Sequence, residues 1–172
     1  MADKDLQPGE LYWRLLEPLG DAISIYDGPK VFLEQFRKVP LETGLLFAAH
    51  CCQAEVCNGG FHQFFSNSTG VLAPEALQAF QGMSLEDWAG LLEEAMRFFG
   101  SPYPRDRNKR VALLSKASGS RREEWDPFNE LDDRFYEWLH AEKDRWERAA
   151  ECICQKNYQR RTVGHYGVGP EL

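Results

Sequence analysis

The chain has 172 residues, enough for one domain with a real core, and its 43% hydrophobic content excludes disorder of the whole chain. No run approaches the roughly 20 apolar residues of a membrane span, and the acidic start Met1-Ala-Asp-Lys-Asp lacks the basic and apolar regions of a signal peptide. A cytoplasmic protein with no membrane contact is expected. The net charge of -7 conceals a segregation: residues 1–96 carry -9, residues 97–122 carry +7, residues 123–155 carry -7 and residues 156–172 carry +2.

Helical periodicity dominates from the start. Leu11, Leu15, Leu16, Leu19, Ala22, Ile23 and Tyr26 recur at three- and four-residue steps, and Asp27-Gly28-Pro29 ends that helix. Pro29 opens a short helix through Phe36, and Pro40 breaks the chain again. Leu41 to Cys57 follows as the central helix, its small residues Ala48, Ala49, Cys51, Cys52 and Ala54 allowing close approach. Asn58-Gly59-Gly60 is expected to stop it, Phe61 to Phe65 to form a short aromatic turn or helix, and Ser66 to Gly70 to form a polar loop.

Pro74 to Phe80 reads as a short helix closed by Gly82. Ser84 and Asp87 match a capping-box pattern in front of the stripe Leu85, Trp88, Leu92, Ala95 and Phe99. Asp106 is placed to cap a helix through Ser118, and a last long segment begins near Asn129, as one helix or as two with a bend near 140–143. The whole reads as an all-α, single-domain bundle of about seven to nine short and medium helices over residues 1–161, with a loose tail at 162–172.

Catalytic chemistry finds no foothold. His50, Cys57 and His62, with Cys51 and Cys52 beside them, lack the paired ligand spacing of a zinc site. Glu137 and His140 form one Glu-x-x-His pair where a di-iron bundle needs two. There is no nucleophile elbow and no phosphate loop. No catalytic residue, metal or cofactor is therefore expected. The basic band (Arg105, Arg107, Lys109, Arg110, Lys116, Arg121 and Arg122) is read as balancing the acidic segments rather than binding nucleic acid directly, because the overall charge opposes the latter.

One segment is distinctive: Asn58-Gly-Gly-Phe-His-Gln-Phe-Phe-Ser-Asn-Ser-Thr-Gly70. A second is Leu131-Asp-Asp-Arg-Phe-Tyr136. Together they resemble the two signature blocks of the bacterial DNA-mimic-protein-like family, a helical domain mostly without assigned function, over roughly residues 40–140. Physically, Gly59 and Gly60 permit a sharp turn and Phe61, Phe64 and Phe65 can plug the core behind it. Asn58, Gln63, Asn67 and Ser68 can hydrogen-bond exposed backbone. The alternative use of Asn58, Gln63 and Asn67 is a small polar pocket. The resemblance marks Asn58, Gly59, Gly60, Phe61, Gln63, Phe64, Asn67, Gly70, Asp132 and Asp133 as binding residues or as structural ones.

The resemblance implies mimicry, in which surface carboxylates imitate DNA phosphates and occupy the site of a DNA-binding protein, often as a homodimer. Glu42, Glu55, Glu75, Glu86, Asp87, Glu93 and Glu94 are the acidic-surface candidates. The eight bases within residues 97–122 depart from that pattern. The leading expectation is thus a non-enzymatic, acidic protein-interaction module with a protein partner. Alternatives are an immunity- or antitoxin-like protein directed at one toxin, and a small-molecule-binding or enzymatic domain using the Asn58–Asn67 pocket.

Overall fold

The computed structural model describes residues 9–119, 125–141 and 143–164. In chain order these form α1 (Glu10–Ala22), α2 (Gly28–Phe36), α3 (Leu41–Ser66), a 3-10 turn (Ser68–Leu72), α4 (Ala73–Gly82), α5 (Glu86–Arg97), α6 (Arg107–Ser118), α7 (Asn129–Ala141) and α8 (Lys143–Gly164). The fold is all-α, with eight α-helices and no strand among the described residues. None of the described helices is long and apolar enough to cross a membrane.

Helix α3 is the axle. It touches α1, the 3-10 turn, α4, α6, α7 and α8, and Ala48, Ala49 and Cys52 are fully buried along it. Small side chains there bring neighbouring backbones close, and rings fill the remaining space. Phe61, Phe65, Phe99 and Phe128 lie within 4.8 to 6.5 Å of one another in linked ring pairs. On the far side Phe135 meets Trp88 at 4.6 Å, and Trp88 stacks parallel to Trp146 at 6.0 Å. This second ring set locks α5, α7 and α8 together.

Several local expectations change. The first helix ends at Ala22 rather than Tyr26 and carries Pro18 within it. Asn58-Gly59-Gly60 interrupts the central helix as expected, with non-helical backbone at Gly59 and Gly60, and Phe61 to Ser66 form a helical second half beyond the kink. The expected polar loop after Ser66 becomes the 3-10 turn, with Thr69, Gly70, Val71 and Leu72 all buried. The last segment takes the two-helix alternative, and α8 runs on through residues 162–164, inside the span expected as a loose tail. Residues 165–172 lie outside the described residues, as do Arg121 and Arg122. Asp106 does cap α6, accepting from the Lys109 N–H at 3.0 Å.

The capping box at Ser84 does not form. Ser84 has φ 56, and the Leu85 N–H bonds Phe80 O at 2.9 Å while the Ser84 N–H bonds Gln81 O at 3.2 Å. That is a Schellman ending for α4, with Ser84 as its left-handed residue and buried Leu85 and Phe80 as its apolar pair. The end of one helix has claimed the residue that would have begun the next.

Two substitutions test this packing in opposite directions in urea unfolding. Ser84→Gly relieves a left-handed side chain and should stabilise the chain by about 0.5–1 kcal/mol. Phe135→Ala empties the contact between the two ring sets and should cost roughly 3–5 kcal/mol.

Candidate functional site

The break in α3 lies at Gly59 (φ -168, ψ 33) and Gly60 (φ 72, ψ 179). It interrupts the helical ladder, leaving an N–H after the break and a carbonyl before it without helical partners. Helix α7 supplies both partners. The Phe61 N–H donates to Asp132 Oδ1 at 2.8 Å, and the Tyr136 hydroxyl donates to Val56 O at 2.7 Å. Asp132 and Tyr136 are four residues apart and so share one face of α7, with Leu131 and Phe135 buried beside them. The two sequence blocks are thus one device: the first breaks a helix, the second caps both broken ends.

Gly60 is indispensable on two counts. Its φ is left-handed, and a Cβ there would collide with Asp132 Oδ2. Gly59 is less constrained, because its backbone is extended and an added Cβ would meet only the Gln63 side chain. Burial pushes the Asp132 carboxyl up to about 6, against the lowering effect of the Phe61 N–H bond; Asp126 and Asp133 add to the rise.

A second brace crosses the same break. Glu55, in the first half of α3, accepts from Gln63 Nε2 at 2.8 Å, Asn67 Nδ2 at 3.1 Å and the Thr69 hydroxyl at 2.9 Å. Three neutral donors from beyond the break therefore hold one carboxylate. The polar pocket expected from Asn58, Gln63 and Asn67 is replaced by this cluster: two of the amides bond Glu55, Asn58 is exposed, and Phe61, Phe64 and Phe65 fill the space behind. Neither the cleft beside Tyr12 and His50 nor the one beside Arg105 and Arg107 is lined by any of those three polar residues.

Where α3 ends, its free carbonyls meet the basic band. Arg110 is fully buried, and its guanidinium donates to Phe65 O at 2.9 Å, Asn67 O at 2.8 Å, Pro104 O at 3.3 Å and Arg105 O. Arg107 Nε reaches Ser66 O at 2.7 Å, the Tyr103 hydroxyl reaches Gly70 O at 2.8 Å, and Arg105 reaches Val71 O at 2.7 Å. Positive charge at a helix C-terminus is favourable, and the planar guanidinium fork reaches several carbonyls at once. Gly70 makes this possible, since a Cβ there would fall 2.8 Å from Arg110 Nε. The band was expected to balance acidic segments; two of its arginines, Arg107 and Arg110, satisfy backbone carbonyls instead. The exception is Arg105, which also pairs with both oxygens of Glu75 at 2.7 Å.

The acidic-surface candidates divide accordingly. Glu75 is buried and bound to Arg105, so it is no surface group. Glu55 is half-buried inside the polar brace, and Glu42 is half-buried near the start of α3. Glu86, Asp87, Glu93 and Glu94 are exposed along α5. Of the remaining motif residues, Asp132 is buried and Asp133, its neighbour, is exposed. Among the described residues no three His, Cys, Asp or Glu side chains converge as a metal site.

Sequence reasoning missed the buried Arg110, the Glu55 brace and the caps from Asp132 and Tyr136. One signal for the last was present: two polar residues at i and i+4 within the apolar stripe of Leu131 and Phe135.

These features define an all-helical domain built on a broken central helix whose ends are capped from α7 and α6. The family model described as DMP19-like protein matches residues 37–155, and the chain belongs to that family. Neither the curated proteins nor the solved structures give a match.

Gly60→Ala should cost roughly 2–4 kcal/mol in urea unfolding, because strain and a collision act together. Arg110→Lys should cost about 3 kcal/mol or more, since a compact ammonium cannot serve the spread carbonyls. Asp132 has a pH signature. Its folded pKa of about 6 lies above the ordinary 3.8, so the folded state holds the proton more tightly between these values. Its contribution is therefore fully present below the ordinary value and falls as pH rises through that window. The stability difference between the native chain and Asp132→Ala should be greatest near the acidic edge of the window and smaller at neutral pH. Denaturant titrations across the range check it, and a difference that grows with pH contradicts the assignment.

Proposed function

We propose that this chain is a non-enzymatic protein-interaction module that engages the basic surface of a partner through an acidic face on α5 and α7, with competition for the DNA site of a DNA-binding protein as its particular form. The observation that carries this reading is the joining of two exposed helix faces. On α5, Glu86, Asp87, Glu93 and Glu94 are exposed; on α7, Glu130, Asp133 and Glu137 are. The Arg134–Glu94 pair at 3.3 Å spans the two helices and supports reading their exposed carboxylates as neighbours. Arg97, Arg134 and Arg145 bridge Glu93, Glu94 and Asp87, and the face keeps an excess of negative charge.

The internal use of Arg105 and Arg110 supports the reading further. These bases are turned to carbonyls and to Glu75, so the excess charge of residues 97–122 does not translate into an equal positive surface. Exposed ion pairs contribute little to folding, which leaves the acidic face largely free of structural duty. A continuous negative field would also speed encounter with a basic partner.

The test is retention of cytosolic proteins on the immobilised chain. A DNA-binding protein should be retained near 0.1 M salt, displaced by duplex DNA, and lost as salt rises to about 1 M, where the screening length shrinks from about 10 to about 3 Å. The triple reversal Glu86→Lys, Asp133→Lys and Glu137→Lys should abolish retention while circular dichroism stays unchanged. Capture of one enzyme that resists both salt and charge reversal would replace this reading with an immunity-like one.

A further inference from the structure

A cleft of about 630 Å³ opens between α1, α3 and α8. Its size is within the roughly 300–1,000 Å³ of small-ligand pockets. None of the acidic residues assigned to the α5–α7 face lines it, so it is a different site from the one proposed for the partner.

The wall is aromatic. Tyr12, Trp13 and His50 form a triad of mutual edge contacts, with centroids 5.3 to 5.7 Å apart, and Trp146 lines another side. Trp13 is 56% exposed, although it is among the largest apolar side chains of the molecule. Core packing does not account for an indole left standing at the edge of a cleft.

The lining carries two carboxylates, Glu147 and Glu151, against one guanidinium, Arg148. The Tyr12 hydroxyl and His50 Nδ1 are 2.7 Å apart and satisfy each other. Burial lowers His50 below its ordinary value, and burial first, with nearby Cys154, Cys51 and Glu147, raises the Tyr12 phenol. Both are neutral at physiological pH. The charged lining is Glu147, Arg148 and Glu151, all on α8, with Arg148 4.0 Å from Asp144 on its own helix. Gln53 adds an amide, and the Glu151 carboxylate accepts from Gln155 at 3.1 Å.

Aromatic rings attract cations through their quadrupole, and carboxylates at the rim of a partly desolvated cleft reinforce the attraction. Two carboxylates against one guanidinium favour a cation over an anion here. We infer that this cleft binds a small organic cation, an ammonium or guanidinium compound, whose charged head lies among Tyr12, Trp13 and Trp146 under the carboxylates of Glu147 and Glu151.

The experiment is calorimetric titration of the full chain with two cation probes and their uncharged counterparts. Acetylcholine is paired with 3,3-dimethylbutyl acetate, and N-acetylarginine amide with N-acetylcitrulline amide. At least one cation should bind saturably, about tenfold more tightly than its neutral counterpart. The double variant Glu147→Gln, Glu151→Gln should weaken that binding by roughly three- to tenfold. Trp13→Ala should do likewise, and both changes lie on side chains outside the core. Absence of saturable binding by either cation, equal binding of the neutral partner, or unchanged binding by the double glutamine variant would each overturn the assignment.

Discussion

A single hydrogen bond, from the Phe61 N–H to the buried carboxylate of Asp132, organises this molecule. Breaking a helix inside a core is costly, because each orphaned backbone group loses water without gaining a partner. The chain accepts that cost at Gly60, where only glycine tolerates both the backbone conformation and the nearness of Asp132. Asp132 and Tyr136 then fasten α7 to both sides of the break, and Glu55 ties the first half of α3 to Gln63, Asn67 and Thr69 beyond it. Beyond the bend, Phe61 and Phe65 meet Phe99, Tyr103, Phe128 and Phe135.

The same logic explains the unusual handling of charge. A bent helix followed directly by a buried 3-10 turn leaves a run of carbonyls, from Phe65 to Val71, with few helical partners. Arg105, Arg107, Arg110 and Tyr103 serve that run as a group. Arg110 has no carboxylate within its bonding set; a fan of carbonyl dipoles replaces the counter-ion. A buried guanidinium held this way rigidifies the turn while removing positive charge from the surface. Charge totals along the sequence therefore misrepresent the charge that a partner meets.

Much of the fold was legible because helix periodicity is a local signal. The stripe on α5, the Asp106 cap and the small-residue face of α3 follow from spacing alone. Failures occurred where a tertiary partner overrode local chemistry. Ser84 looks like an N-cap by sequence, yet the apolar pairing of Leu85 with Phe80 draws it into the ending of α4. Asn58-Gly59-Gly60 does interrupt the helix as its residues suggest, but nothing nearby reveals that α7, some seventy residues later, caps the break. The candidate site was half visible. Both blocks stand out in the sequence, but not that they touch, and the Gln63 and Asn67 amides suggested a pocket because their acceptor, Glu55, lies before the break. The α1–α3–α8 cleft had no signal at all, since Tyr12, His50 and Glu147 come from three distant segments.

This division of labour bears on how function is carried. The distinctive motif residues are almost all engaged in holding the bend: Gly60, Phe61, Gln63, Phe64, Asn67, Gly70 and Asp132 have structural partners that account for them. A family signature composed of such residues transmits a shape, not a partner. Specificity then has to reside in side chains that the bend leaves free. On α5 and α7 these are the exposed carboxylates, and on α1 and α8 they are Trp13 and Glu147. Two chains sharing the bend can differ completely at those positions without disturbing Asp132 or Arg110. On the reading proposed above, chemistry at the free faces, and not possession of the motif, sets what the domain engages.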